Sequence, residues 1–228
     1  MTEKTWRQHV RPTAMLLFLR ATVSERRILL FNCACCRSVW NRLGVTDREA
    51  TVQAEQGADD PDAIRTLQRS LEPEQTAALA LVGLRDDPVS DNLRAVLTSQ
   101  TNLRLGLLGN GWGIGSLAHE AAQLAANTHS QHDQRHAQES EELKQTTLLR
   151  DIFGNPFRPV AFDPAWRTDT ALALARSMYE SREFSAMPIL ADALQDAGCD
   201  SDNILNHCRE PGTHVRGCWV VDLVLGKM

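Results

Sequence analysis

Helix-start and helix-stop signals recur along this chain, and nowhere does apolar/polar alternation of period two run long enough to make a half-buried strand. Thr46-Asp47-Arg48-Glu49 has the form of a capping box, in which a hydroxyl and a carboxylate satisfy the amides of a first helical turn. Asp60-Pro61 offers an N-cap with proline at the first helical position, and Ser90-Asp91, Asp169-Thr170 and Ser201-Asp202 are similar starts. Gly44 and Gly198 stand where a helix ends in a left-handed cap. Nothing breaks the helical pattern over residues 116–149, which predicts one long helix or two abutting ones. The nearest approach to a strand, residues 218–225, reads as a short buried helix. The expectation is therefore an all-α fold, a multi-helix globular array.

Pro156, Pro159 and Pro164 interrupt that array, so residues 154–166 should form an irregular connection. Phe153, Phe157, Phe162 and Trp166 give it enough apolar surface to pack down. This places a boundary between a helical region over residues 1–150 and a C-terminal helical unit over 151–228, the latter expected to pack back on residues 12–43. With 228 residues, 43% of them hydrophobic, the chain can bury a sizeable core.

The 24 basic residues are outnumbered by 29 acidic ones, and a formal net charge of −5 supplies no general field to attract nucleic acid or anionic lipid. No apolar run approaches the roughly 18–20 residues that cross a bilayer. The run at residues 14–19 is followed by Arg20 without a cleavage signal. A cytoplasmic protein without membrane or nucleic-acid partners is expected.

The six cysteines fall in two groups, Cys33, Cys35 and Cys36 near one end and Cys199, Cys208 and Cys218 near the other. In a reducing compartment such clusters mean packing, metal or redox chemistry more often than disulfides. On a helical projection of residues 24–43, Ile28, Leu29, Phe31, Cys35, Cys36, Val39, Trp40 and Leu43 share one arc, facing a core. Arg26, Arg27, Arg37, Ser38 and Asn41 occupy the other, with Cys33 at the edge. Cys33 and Cys35 diverge by roughly 160°, so only Cys33 and Cys36, at i and i+3, can share a ligand sphere. Cys33 beside two guanidinium groups is also a candidate reactive thiolate.

The second group contains His207-Cys208 and His214-Val215-Arg216-Gly217-Cys218, joined by a Pro-Gly turn. Imidazole and thiolate are the donors zinc prefers, and a structural site takes four of them. Cys208, His214 and Cys218, with His207 in reserve, supply most of one here, to be completed by Cys33 or Cys36. The plainer reading is that His214 and Arg216 cap or hydrogen-bond a turn while Cys218 and Trp219 anchor the last helix.

Two further patterns are weaker. His129, His132, Asp133 and His136 lie on one helix face, but their neighbours are wholly polar, which reads as a solvated face with adventitious metal affinity. Residues 109–115 hold four glycines, and Gly113-Ile114-Gly115-Ser116-Leu117-Ala118 formally fits a dinucleotide fingerprint. The strand and parallel sheet that would confirm it are not indicated, so a loop between helices is expected. Neither a GxSxG elbow nor an HExxH motif occurs.

Several blocks resemble a large family of uncharacterised bacterial proteins. Residues 16–20 and 30–40 (LFNCACCRSVW) are similar to its opening. Residues 148–160 (LLRDIFGNPFRPV), 188–199 (PILADALQDAGC) and 214–226 (HVRGCWVVDLVLG) are similar to its closing part. The resemblance covers about the first 45 and last 80 residues and is loose in the Ala-rich middle. It implies no activity, but it does imply that the two ends belong to one structural unit. Family members often carry Leu in place of Cys208 and an apolar residue in place of Cys33. The resemblance thus leaves Cys35, Cys36, His214 and Cys218 as metal positions.

The reading that follows is a noncatalytic helical module that binds another protein or regulates it, with no obligatory cofactor. The alternatives are a metal-assisted or thiol-based enzyme, or a zinc-stabilised structural domain, centred where Cys33, Cys35 and Cys36 would meet His207, His214 and Cys218.

Overall fold

A computed structural model describes residues 1–19, 22–60, 62, 63, 66 and 131–227. Among these the fold is all-α, as expected: nine α-helices and two 3-10 turns, without a strand. The loop of residues 109–115, His129 and the helix start at Ser90-Asp91 lie outside the described residues, as do the side chains of His132 and Asp133. Among the described residues no helix is long and apolar enough to cross a membrane.

The chain divides into two compact units, one made of Met1–Gln8 and Thr147–Met228, the other of His9–Thr146. The inner unit contains α2 (Pro12–Leu19), α3 (Glu25–Ser38), a 3-10 turn (Trp40–Arg42), α4 (Val45–Gly57) and the first part of α5 (Gln131–Phe153). α3 packs on α4. α4 offers small or short buried residues, Ala50, Thr51 and Ala54, opposite the bulky stripe of α3, an arrangement that permits close helix approach. The pair is stitched at its margin by Arg26 to Asp59 at 2.7 Å and by a two-pronged Arg37–Glu55 bridge, both contacts at 2.6 Å.

α4 changes the place of Cys33. The projection of α3 alone puts this thiol at the edge of the apolar arc, but Cys33 is fully buried, its sulfur 3.9 Å from the Thr51 carbonyl. An isolated projection assumes one packed face, and here a second helix covers the flank. Arg37, expected to favour a Cys33 thiolate, has Glu55 as its hydrogen-bonded partner and interacts with Cys33 only through charge.

The terminal unit starts with α1 (Glu3–Gln8), whose Trp6 is buried. Arg150 donates to the Trp6 carbonyl through Nε at 3.3 Å and Nη2 at 3.1 Å. Glu3 accepts from the Asn155 amide at 3.0 Å and pairs with Arg158 at 2.6 Å. These bonds tie the first residues of the chain to the end of α5.

Beyond α5 the chain runs irregularly to a 3-10 turn (Pro164–Trp166), in which Asp163 accepts from the Ala165 amide at 2.9 Å. Phe162 meets the edge of Trp166 at 5.4 Å. Four helices follow: α6 (Asp169–Ser181), α7 (Met187–Asp196), α8 (Asp202–Arg209) and α9 (Trp219–Leu225). α6 begins one residue before the expected start, because Thr168 is the cap and accepts from the Ala171 amide at 3.2 Å. α7 ends at the predicted glycine: the Cys199 amide reaches the Leu194 carbonyl at 2.9 Å across Gly198.

Met178, Leu190, Leu194, Ile204, Val220 and Val224 form the core of these four helices. Each such side chain contributes about 1.5–3 kcal/mol on leaving water, and together they fix the ends of α8 and α9 against α7 and α6. Arg167 holds α9 from its C-terminal end, donating to the carbonyls of Leu223 at 3.0 Å and Val224 at 3.2 Å. The segment joining α8 to α9 is thereby held at both ends.

Candidate metal centre

Three elements of the terminal unit converge at one point. α5 brings Asp151 in its last turn, α8 brings His207 in its last turn, and the return segment brings His214 and Cys218. One ligand atom from each, all four together, lies within 4.8 Å of the others.

Asp151 is an acid in an apolar helical stripe, three residues after Leu148 and next to Ile152, and only 3% of it is exposed. Its Oδ1 accepts from His214 Nδ1 at 2.7 Å and lies 3.2 Å from His207 Nε2. Its Oδ2 accepts from the Val215 amide at 2.9 Å, which fixes the carboxylate plane. Burial works to raise the Asp151 carboxyl. The hydrogen bonds and charges of His207 and His214 outweigh it and hold the group below its ordinary value.

Cys218 lies opposite, fully buried, its sulfur 3.2 Å from His207 Nε2 and 3.9 Å from His214 Nδ1. Its position follows from a tight turn in which the Cys218 amide donates to the Val215 carbonyl at 2.9 Å. Gly217 makes that turn with φ of +98°, a left-handed conformation that a side chain would strain. Burial first, then the negative charge of Asp151, pushes the Cys218 thiol well above its ordinary value, against the amides of Val221 and Val220.

Ring packing closes the centre. His207 meets His214 edge-on at 4.9 Å and lies 5.1 Å from the Trp219 ring. Trp219 in turn covers Gly154, where a Cβ would come within 3.3 Å of the indole. The histidine side chains are 19% and 9% exposed for His207 and His214, and the carboxylate and sulfur are sealed.

Of the residues singled out in the sequence, His207, His214 and Cys218 come together. Cys208, one residue beyond His207, is buried outside the ligand set. Its thiol is pushed up to about 12 by burial first and then by the nearby Cys199 and Asp151. Cys33, Cys35 and Cys36 lie on α3 in the inner unit and are not members of this group. Burial, followed by the charges of Cys36, Glu141 and Cys33, pushes the Cys35 thiol well above its ordinary value, the reverse of what a nucleophile needs. His136 is 69% exposed and stands 3.9 Å from Glu139, as a solvated face requires.

Asp151 is the member that sequence reading missed. It has no cysteine-like spacing signal, and its block, residues 148–160, enters the sequence reading only through the family resemblance. The available signal was a lone carboxylate on the face shared by Leu148 and Ile152, where burial demands a partner.

Comparison with family models, with curated proteins and with solved structures gives no match to this chain.

Proposed function

We propose that this chain is a noncatalytic helical module that docks to another protein through the outer face of α2. The observation that carries this reading is the pattern of α2 itself, whose eight residues include Met15, Leu16 and Leu19 turned inward at 0–2% exposure. The opposite side of the same helix presents Leu17, 66% exposed, and Phe18, 38% exposed. A helix that is apolar all round is usually covered all round, so two adjacent exposed large apolar residues argue for a covering surface. The remaining chemistry supports a surface role: the convergent Asp151, His207, His214 and Cys218 face one another, and Asp151 and Cys218 are sealed from a substrate.

The test is a comparison of the immobilised wild type with the double variant Leu17→Glu, Phe18→Ser in extract of the source cells. Circular dichroism first establishes that helix content is unchanged. A protein retained by the wild type and released by the variant, then shown to bind purified wild type, meets the expectation. Equal retention by both proteins, or no retention by the wild type, overturns it.

A further inference from the structure

We infer that Asp151, His207, His214 and Cys218 bind one zinc ion in a closed tetrahedral centre that holds the terminal unit together. This inference stands apart from the docking surface on α2.

Geometry is the first argument. With metal–ligand distances of about 2.0–2.3 Å, the donors of a tetrahedral zinc site stand about 3.3–3.6 Å apart. The contacts here are 3.2 Å for Asp151 Oδ1 to His207 Nε2, 3.2 Å for His207 Nε2 to Cys218 Sγ and 3.9 Å for His214 Nδ1 to Cys218 Sγ. These three of the six edges bracket the tetrahedral value, and all six lie within 4.8 Å. The short edge, Asp151 to His214 at 2.7 Å, is a charge-assisted hydrogen bond, which draws the pair closer than shared coordination does.

Charge is the second argument. A carboxylate and a thiolate cancel the two positive charges of the ion, and two neutral imidazoles complete the set. The centre is then neutral as a whole, which suits a site where Asp151 and Cys218 are 3% and 0% exposed. Binding releases the Cys218 thiol proton to solvent, together with any proton carried by the imidazoles.

The donor types choose the ion. Magnesium and calcium take oxygen ligands, whereas imidazole, thiolate and one carboxylate in a tetrahedron suit zinc. An outer contact of the expected kind is present: the Val215 amide orients Asp151 at 2.9 Å. Four protein donors leave no coordination position for water, which marks a structural centre. The ion would join α5 to the segment following α8, closing a loop in which Asp151 and His214 are 63 positions apart.

The experiment uses the full chain. Protein stripped with chelator, incubated with stoichiometric zinc and passed through gel filtration should carry about one zinc per chain. X-ray absorption of that wild-type sample should give one sulfur at about 2.3 Å and three lighter donors at about 2.0–2.1 Å, without requiring a variant to fold. Cobalt in place of zinc should give tetrahedral visible bands and a sulfur-to-cobalt charge-transfer band. Cys218→Ser should abolish that band and weaken zinc binding about 100-fold or more, while Cys208→Ser and His136→Ala keep both. Metal below about 0.2 per chain after reloading, a six-coordinate cobalt spectrum, or a shell without sulfur overturns the inference. So does a charge-transfer band that persists in Cys218→Ser or is lost in Cys208→Ser.

Discussion

Replacing Arg37 by Met removes the guanidinium that grips Glu55 and leaves the similar-sized thioether stem in place. Glu55 is 3% exposed, and Arg37 meets both its oxygens at 2.6 Å while resting 4.7 Å from the centre of the Trp40 ring. Breaking a buried ion pair by removing one partner costs about 3–5 kcal/mol, because the remaining charge stays desolvated. Arg37 is itself 31% exposed, and water reaching that side of the pair places the cost at the lower end, about 3 kcal/mol. Glu55→Leu in the same background removes the buried carboxylate as well, so the double variant should recover about 2 kcal/mol or more of that loss. Urea unfolding of the wild type, both single variants and the double variant, followed by circular dichroism, gives the coupling energy directly. A coupling below about 0.5 kcal/mol would refute the argument, since that is the value of an exposed pair.

Two further outcomes follow from buried groups of the terminal unit. The Cys208 thiol titrates at about 12 when folded against an ordinary value of 9.0, so its contribution to stability is complete below 9 and is lost as pH rises from there towards 12. Between pH 8 and pH 10 this amounts to about 1.4 kcal/mol, and Cys208→Ala should reduce the measured loss of stability over that interval by about that much; an unchanged slope counts against the burial. Gly154→Ala imposes a side chain at φ of +66° and presses a Cβ to 3.3 Å from the Trp219 indole. The backbone cost alone is about 1–2 kcal/mol, and chemical denaturation should detect at least that; a neutral substitution would show that Trp219 does not pack there.

Helices and their ends were legible because their causes are local. A glycine at position 198, a Ser201-Asp202 start and prolines at 156, 159 and 164 act within a turn or two of chain, and the structure places helix ends and the irregular connection beside them. Cys35 and Cys36 were assigned to a packed face by periodicity alone, and both are fully buried. Cys33 was misplaced because periodicity describes one helix, and α4 lies across its flank. His207, His214 and Cys218 were visible as donor types close in sequence. Asp151 was hidden because a carboxylate 56 positions before His207 has no spacing relation to it.

By itself, the sequence determined that this protein is helical, where several of its described helices begin or end, and which donor residues crowd the return segment after α8. These are consequences of side-chain and backbone chemistry acting over a few residues. Only the tertiary structure decided that Asp151 joins His207, His214 and Cys218, that the cysteines of α3 belong to another unit, and that Glu55 is the hydrogen-bonded partner of Arg37. Those outcomes depend on which buried charge finds which partner when distant helices pack, and the cost of burying a charge alone is what selects among them.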